Sequence, residues 1–439
     1  MQLRSKARWW AAAAGATALA AASVLGTVAV QAAAPVTVTI WSWRSQDAGM
    51  WQQVQKQLRA QGDNITIQYR PVNSTSYDSV LQTAMDGGKG PDIFYGRAGT
   101  GTFDYAAAGM IAPMNGKVSF KSFVPSSLAA VAWNGKDWGV PLDEETMQVF
   151  YNKQIFAQYH LSPPQTWAQW MHICQVLQAH HVTPIYTEPI QTWMLALNLE
   201  QISSTTFGDA GAAKLVAKKL NFESKPYIQA LTDLKSLTKY FEPNFMAVGS
   251  NGNEQEVAMG TGRGAMVMDG IYDIGTMIQY GMKMSNLGQF PMPMPNASAK
   301  PVLDWYPDGD LAMNAKISNP AVRAAAMDIM KFATTAKFGT DFTGVAGEIS
   351  PIKGVTIPSK YPLSIQAYQW YQKEAVNPLV GIRSPMDSPP PVPVTSKKVS
   401  TDLGIFTAET DEVQPLLSGK ATVQQVAAAI QKDTAWYFK

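Results

Sequence analysis

Val36-Thr37-Val38-Thr39-Ile40-Trp41-Ser42-Trp43 alternates branched apolar residues with threonines, a period of two that belongs to a strand with one buried face. Outward from it, Met50 to Ala60 is a polar, helix-compatible run, and Ile65-Thr66-Ile67-Gln68-Tyr69 repeats the alternation. Strand, helix and strand imply a parallel pair joined by a crossover. The rhythm continues with a helical stretch from Tyr77 to Met85, broken by Gly87, Gly88 and Gly90. Pro91 then leads Asp92-Ile93-Phe94-Tyr95-Gly96 into a short apolar strand, with Asp92 read as a residue that orders it. The fold class is α/β. Ligands of open parallel sheets bind beyond the carboxyl ends of the strands, which is where Trp43, Arg44 and Arg97 should project.

Farther along, Thr166 and Gln169 form a capping box, and Trp167, Trp170, Met171, Cys174 and Leu177 then share one helical face. Cys174 is therefore expected in the core. Asn319 before Pro320 is an N-cap with proline at N1, followed by the stripe Val322, Ala326, Ile329, Met330 and Ala333. Thr422 and Gln425 make a further capping box. The proline-rich stretches Gln289 to Pro307 and Ser384 to Val394 read as extended connectors. Patterned segments follow each, so the chain is expected to pass repeatedly between separate bodies.

Arg4, Lys6 and Arg8 precede an apolar, alanine-rich stretch from Trp9 to Val30, the n-region and h-region of a secretory signal. Val30-Gln31-Ala32 offers a small-residue cleavage site, whereas cutting after Ala34 would set Pro35 beside the scissile bond. Residues 1–32 are read as a cleavable signal peptide, with an uncleaved membrane anchor as the alternative. Lys and Arg number 35 against 33 Asp and Glu. Three of the basic residues fall in the first 32, so the remainder carries a balance near −1. No basic stripe with interleaved aromatics is present, which argues against a nucleic-acid partner. Cys174 is the single cysteine; an internal disulfide cannot form, and a lipid anchor, which needs a cysteine directly after the signal, is not expected. The four histidines lie between His160 and His181 without metal-ligand spacing, so no metal is expected. Phosphate-loop, dinucleotide and Gly-x-Ser-x-Gly signatures are also absent, so neither a cofactor nor a serine hydrolase is anticipated.

Several segments together resemble the extracellular solute-binding proteins of ABC sugar importers, the maltose-binding family. They include Ile40-Trp41-Ser42-Trp43, the run from Gly87 to Gly96, and Gly109 to Gly116. The most specific part runs from Asn134 to Trp170, with Gly139-Val140-Pro141, Tyr151-Asn152-Lys153, Phe156 and Pro163 to Trp167 in the family's order. Thr187 to Leu195, Gly260 to Gly275 and Leu416 to Gln431 also match; Arg383 to Lys398 does not align residue by residue. The resemblance implies a periplasmic-binding-protein fold, two α/β lobes with hinge crossovers and an interlobe ligand cleft. The expected division is 35–143 with 305–348 for the N-terminal lobe and 144–304 with 349–439 for the C-terminal lobe. It also implies a monomeric, exported, non-enzymatic receptor that delivers a mono- or oligosaccharide to a membrane ABC permease.

A sugar presents C–H faces and a rim of hydroxyls, so its site needs flat aromatic rings beside acids, amides or arginines. By resemblance, Glu145 and Glu188 stand where the maltose binder places ligand-contacting acids, and Tyr272 stands where it places a stacking aromatic. Trp43, Arg44, Arg97, Trp193 and Asp310 complete the candidate set. Plainer readings accompany these: Asp143, Glu144 and Glu145 as a solvated turn, Arg97 as one half of a structural ion pair, and any given tryptophan as core. Two functional alternatives remain open. One keeps the fold and binds a glycerol phosphodiester, polyamine or peptide; the other is a secreted carbohydrate-active enzyme using two carboxylates.

Overall fold

The computed structural model describes residues 34–249, 252–373, 375–376, 385–395 and 402–439. The signal-peptide reading of 1–32 lies outside them, as do 383–384 and 396–398, while Asp387, Pro389, Pro390, Val392 and Val394 of the unaligned stretch line the cleft described below. Two sheets organise the chain. In the first, Ile65–Pro71, Val36–Ser42 and Ile93–Arg97 run parallel, and Gly309–Met313 and Val140–Pro141 follow antiparallel. The register sets Ile40 against Ile93 and Asp310 against Gly96. Asp92 orders this sheet as expected, accepting hydrogen bonds from Thr39 N and Oγ1, both at 2.8 Å. The crossover helices are Ala48–Ala60 and Ser74–Asp86. Met50, Trp51, Val54 and Leu58 of the former pack onto Val38, Ile40 and Tyr95.

The second sheet is built on the long strand Glu144–Asn152. One side pairs antiparallel with Gly264–Gly270, beyond which lies Thr183–Ile185; the other pairs with Val302–Pro307 and Leu287–Phe290. Its core collects Trp170, Cys174 and Leu177 from the helix Trp167–Ala179 and Leu195 and Leu199 from Thr192–Val216, with Val426 and Ile430 near the carboxyl terminus. The capping boxes at Thr166 and Thr422 form, and Asn319 accepts from the amides of Ala321 and Val322. Cys174 is fully buried.

Gln289 to Pro307 is not the single extended connector that its prolines suggest. Leu287–Phe290 and Val302–Pro307 are sheet strands buried throughout, and the proline-rich connector is confined to the residues between them. A strand covered on both faces reads as an apolar run rather than as an alternation, so the period-two signal is missing there. The chain passes from the first sheet to the second between Pro141 and Glu144, and back at Asp308, between Pro307 and Gly309. The expected boundary at 304/305 falls inside a strand, because Asp304 to Pro307 pair with Glu144 to Met147.

Candidate functional site

A cleft of about 1020 Å³ opens along the carboxyl ends of the parallel strands. Val36–Ser42 ends in Trp43 and Arg44, and Ile93–Arg97 ends in Arg97. From the second sheet's side come Glu188, on the turn after Thr183–Ile185, and Trp193, in the first turn of its helix. Tyr272 and Asp273 follow the strand Gly264–Gly270. Six of the eight sequence candidates, Trp43, Arg44, Arg97, Glu188, Trp193 and Tyr272, therefore share one cavity.

Aromatic surface is offered from both sides. Trp43 is held edge-on by Tyr77 and Tyr95, at centroid distances of 5.3 and 5.7 Å, and the Arg97 guanidinium lies 3.8 Å over its ring. Arg97 also stands 3.6 Å from Asp78, so it is both a cleft residue and half of an ion pair. Across the cleft, Trp193 and Tyr272 are 6.4 Å apart and tilted at 48°, with Trp193 fixed by a 2.8 Å bond from Nε1 to Gln191 Oε1. Gly270 is needed beneath Tyr272, whose ring occupies the space of any Cβ there. Ile190, 55% exposed, adds an apolar lip.

Glu188 is buried, and its Oε2 accepts from the amide of Glu254 at the start of the helix Glu254–Thr261. Its other oxygen has no hydrogen-bond partner among the described residues. Burial raises its pKa, although nearby backbone amides oppose the shift. Gln255, Glu256 and Asp273, which the sequence reading did not select, also line this side. Their only signal is a polar triplet, Glu254-Gln255-Glu256, before the glycine-rich strand entry.

Two candidates do not reach the cleft. Glu145 is fully buried, its Oε1 3.7 Å from Arg44 Nη1 and neither oxygen hydrogen-bonded. Asp310 is equally buried and accepts from Thr102 Oγ1 at 2.7 Å, against the backbones of Gly96 and Gly139. Tyr306, the cross-strand partner of Glu145, lines the cavity itself while Glu145 is held against Arg44 behind it, and Asp310, one residue along from the partner of Arg97, turns to the opposite face. The solvated-turn reading of Asp143, Glu144 and Glu145 fails as well, since all three are buried.

Asp143 and Glu145 instead surround Arg44 with Asp47 and Glu348. Arg44 Nε meets Asp47 and Nη1 meets Asp143, each at 2.9 Å, and Nη2 donates to Glu348. Burial opposes the guanidinium charge, but the surrounding carboxylates raise its pKa above the ordinary value. Burial likewise lifts Asp143 to about 7 against the pull of Arg44, and holds Glu145 well above the carboxylate range. The cluster joins the end of the first strand to the passage at Asp143 and to Glu348, next to the bridge between Glu144 and Ile349, so Arg44 is a structural hub whose edge touches the cleft.

Comparison with known proteins agrees with this architecture. The multiple sugar-binding protein of Streptococcus mutans is 23% identical over 311 residues, covering 69% of this chain and 72% of that one. The maltotriose-binding protein of Pyrococcus abyssi is 20% identical, covering 58% and 53%. Among solved structures, a chitin oligosaccharide binding protein superposes with a TM-score of 0.74 at 21% identity, covering 91% of this chain and 98% of that one. The GacH receptor of Streptomyces glaucescens gives 0.70 at 17% identity, covering 90% and 96%. The fold is that of these two-lobed receptors. Residues 41–339 match the model of the bacterial extracellular solute-binding proteins, and the chain belongs to that family.

Proposed function

We propose that this protein captures a mono- or oligosaccharide outside the cytoplasm and hands it to a membrane ABC permease by closing its cleft. The observation that carries this reading is the pairing of Trp43 on one wall with Trp193 and Tyr272 on the other, beside the buried acceptor Glu188. Flat rings suit the C–H faces of a sugar, and a carboxylate suits its hydroxyls. The volume falls at the upper end for small-molecule sites, which suits more than one sugar ring. A glycerol phosphodiester is disfavoured: it needs free arginines or lysines, whereas Arg44 and Arg97 both face carboxylates.

The lobes meet at the two passages near Asp143 and Asp308, and contacts divided between them make the ligand select the closed state. Export is assigned to residues 1–32, with cleavage after Ala32, no lipid anchor, a monomeric product and no bond-making chemistry. Small-angle scattering with a saturating oligosaccharide tests the mechanism. A smaller radius of gyration is expected, and unchanged dimensions at saturation would overturn closure. A thermal-shift screen of sugars, repeated on Tyr272→Ala, tests the site; a melting shift that survives the substitution would remove Tyr272 from it.

A further inference from the structure

The cleft is one-signed for a site meant for a neutral ligand. Eight carboxylate residues line it against two arginines, with no lysine or histidine among the described residues. Neither arginine offsets the excess, since Arg44 is enclosed by four carboxylates and Arg97 faces Asp78 and the Trp43 ring. A compact group of these acids stands on the second sheet's side. There Glu256, Asp269 and Asp273 each bring a carboxylate oxygen within 4.8 Å of the others. Glu256 and Asp273 line the cavity; Asp269 lies behind them, accepting from Gln255 Nε2 at 2.9 Å and from the Gly270 amide at 2.7 Å.

A second observation, independent of the cluster, points to a ligand. Glu188 and Gln255 are each only 2% exposed and line the same cavity, yet Oε1 of each has no hydrogen-bond partner among the described residues. Glu256 Oε2 is in the same state. Buried acceptors left unpaired cost free energy that a donor would recover. The nearby cation does not supply it, because Arg263 faces Glu254 at 3.5 Å and the Tyr186 ring. A neutral hydroxyl brings one donor and two acceptor lone pairs, whereas an ammonium brings three donors, no acceptor and a charge. The Tyr272 and Trp193 rings next to the acids supply π faces for a cation.

Resting on the sugar-receptor reading, we propose that the bound sugar carries a protonated amine, an amino sugar or amine-bearing oligosaccharide, held by Glu188, Glu256 and Asp273 beside Tyr272. Burial raises Glu256 and Asp269 well above the carboxylate range and Asp273 to about 6. The groups facing Glu256 are Glu188 from the turn after Thr183–Ile185 and Asp269 and Asp273 from the strand and its exit. All are acids, so an arriving ammonium displaces protons, and its binding strengthens as pH rises while the amine stays charged.

Calorimetric titration of the intact protein with hexosamines and their oligomers, each against its N-acetylated counterpart, tests this at pH 5.5 and 7.5. The expected result is at least a tenfold preference for the free amine at pH 7.5, narrowing at pH 5.5. Glu256→Gln should cut the preference below threefold, and Glu188→Gln provides the same test should the first variant misfold. If N-acetylated or neutral sugars bind as tightly at both pH values, the amine assignment falls while the sugar receptor stands. If no sugar binds and spermidine does, both fall. Saturable calcium binding that abolishes amine binding would reassign the acids to a metal and overturn the proposal.

Discussion

Replacing Arg44 by Met removes the one cation among Asp47, Asp143, Glu145 and Glu348 while keeping most of its apolar stem. Each of these carboxylates is buried; the contacts to the guanidinium are 2.9 Å for Asp47 and Asp143 and 3.7 Å for Glu145, and Glu348 accepts from Nη2. Breaking a buried ion pair on one side costs about 3 to 5 kcal/mol, and here the residue left behind is an excess of acids. The folded variant relieves it by taking up a proton that the unfolded chain has released. One extra proton costs about 1.4 kcal/mol per pH unit above the normal carboxylate range, so the loss at pH 8 should exceed that at pH 5 by up to about 4 kcal/mol. Urea unfolding followed by tryptophan fluorescence measures both. Near wild-type stability at pH 5 with a deficit of about 4 kcal/mol at pH 8 is expected. An equal loss at both pH values, or less than about 1 kcal/mol at pH 8, would refute the view that Arg44 holds the fold by neutralising these carboxylates.

The wild-type protein should itself be most stable in mild acid. Burial pushes Glu144 and Asp304 up to about 8; the fold retains their protons while the unfolded chain loses them near pH 4, so stability declines between about pH 4 and 8. A flat melting profile over that range would contradict it. Gly96→Ala should destabilise by about 1 to 3 kcal/mol, since its Cβ would stand 2.7 Å from Asp310 Oδ1; an unchanged denaturation midpoint would show that Asp310 has room to move. Gly270→Ala should displace the Tyr272 ring and weaken ligand binding at least tenfold in calorimetry, and wild-type affinity would argue that the ring is not a contact. Cys174, buried and with its thiol pKa raised by burial, should react with a thiol reagent only on unfolding, and labelling of native protein at the unfolded rate would contradict its placement.

Local chemistry made much of the first sheet readable. The strand at Val36, the helix after Met50 and the ordering role of Asp92 follow from period and side-chain type, and the capping boxes at Thr166 and Thr422 form as their spacing requires. Trp43, Arg44 and Arg97 could be chosen because they stand at the carboxyl ends of parallel strands, and Glu188, Trp193 and Tyr272 because their segments resemble the family's ligand-lobe motifs. Glu145 and Asp310 misled because they lie within strands, where burial is set by neighbours distant in sequence: Arg44 covers Glu145, and Thr102 donates to Asp310. Gln255 and Glu256 escaped notice because a polar helix start commonly faces solvent, and its burial here depends on contacts distant in sequence.

The strand Gly309–Met313 lies between Ile93–Arg97 and Val140–Pro141, inserted into a sheet whose other members are laid down in the first third of the chain. Until that late segment arrives, the exposed border of Ile93–Arg97 is an open template for another polypeptide. A newly made or freshly translocated thread must therefore keep this border unengaged while the 211 intervening residues, 98–308, emerge. Secretion yield should accordingly depend on how quickly residue 313 follows residue 97, and fragments stopping short of Gly309 should aggregate instead of surviving as a half-molecule.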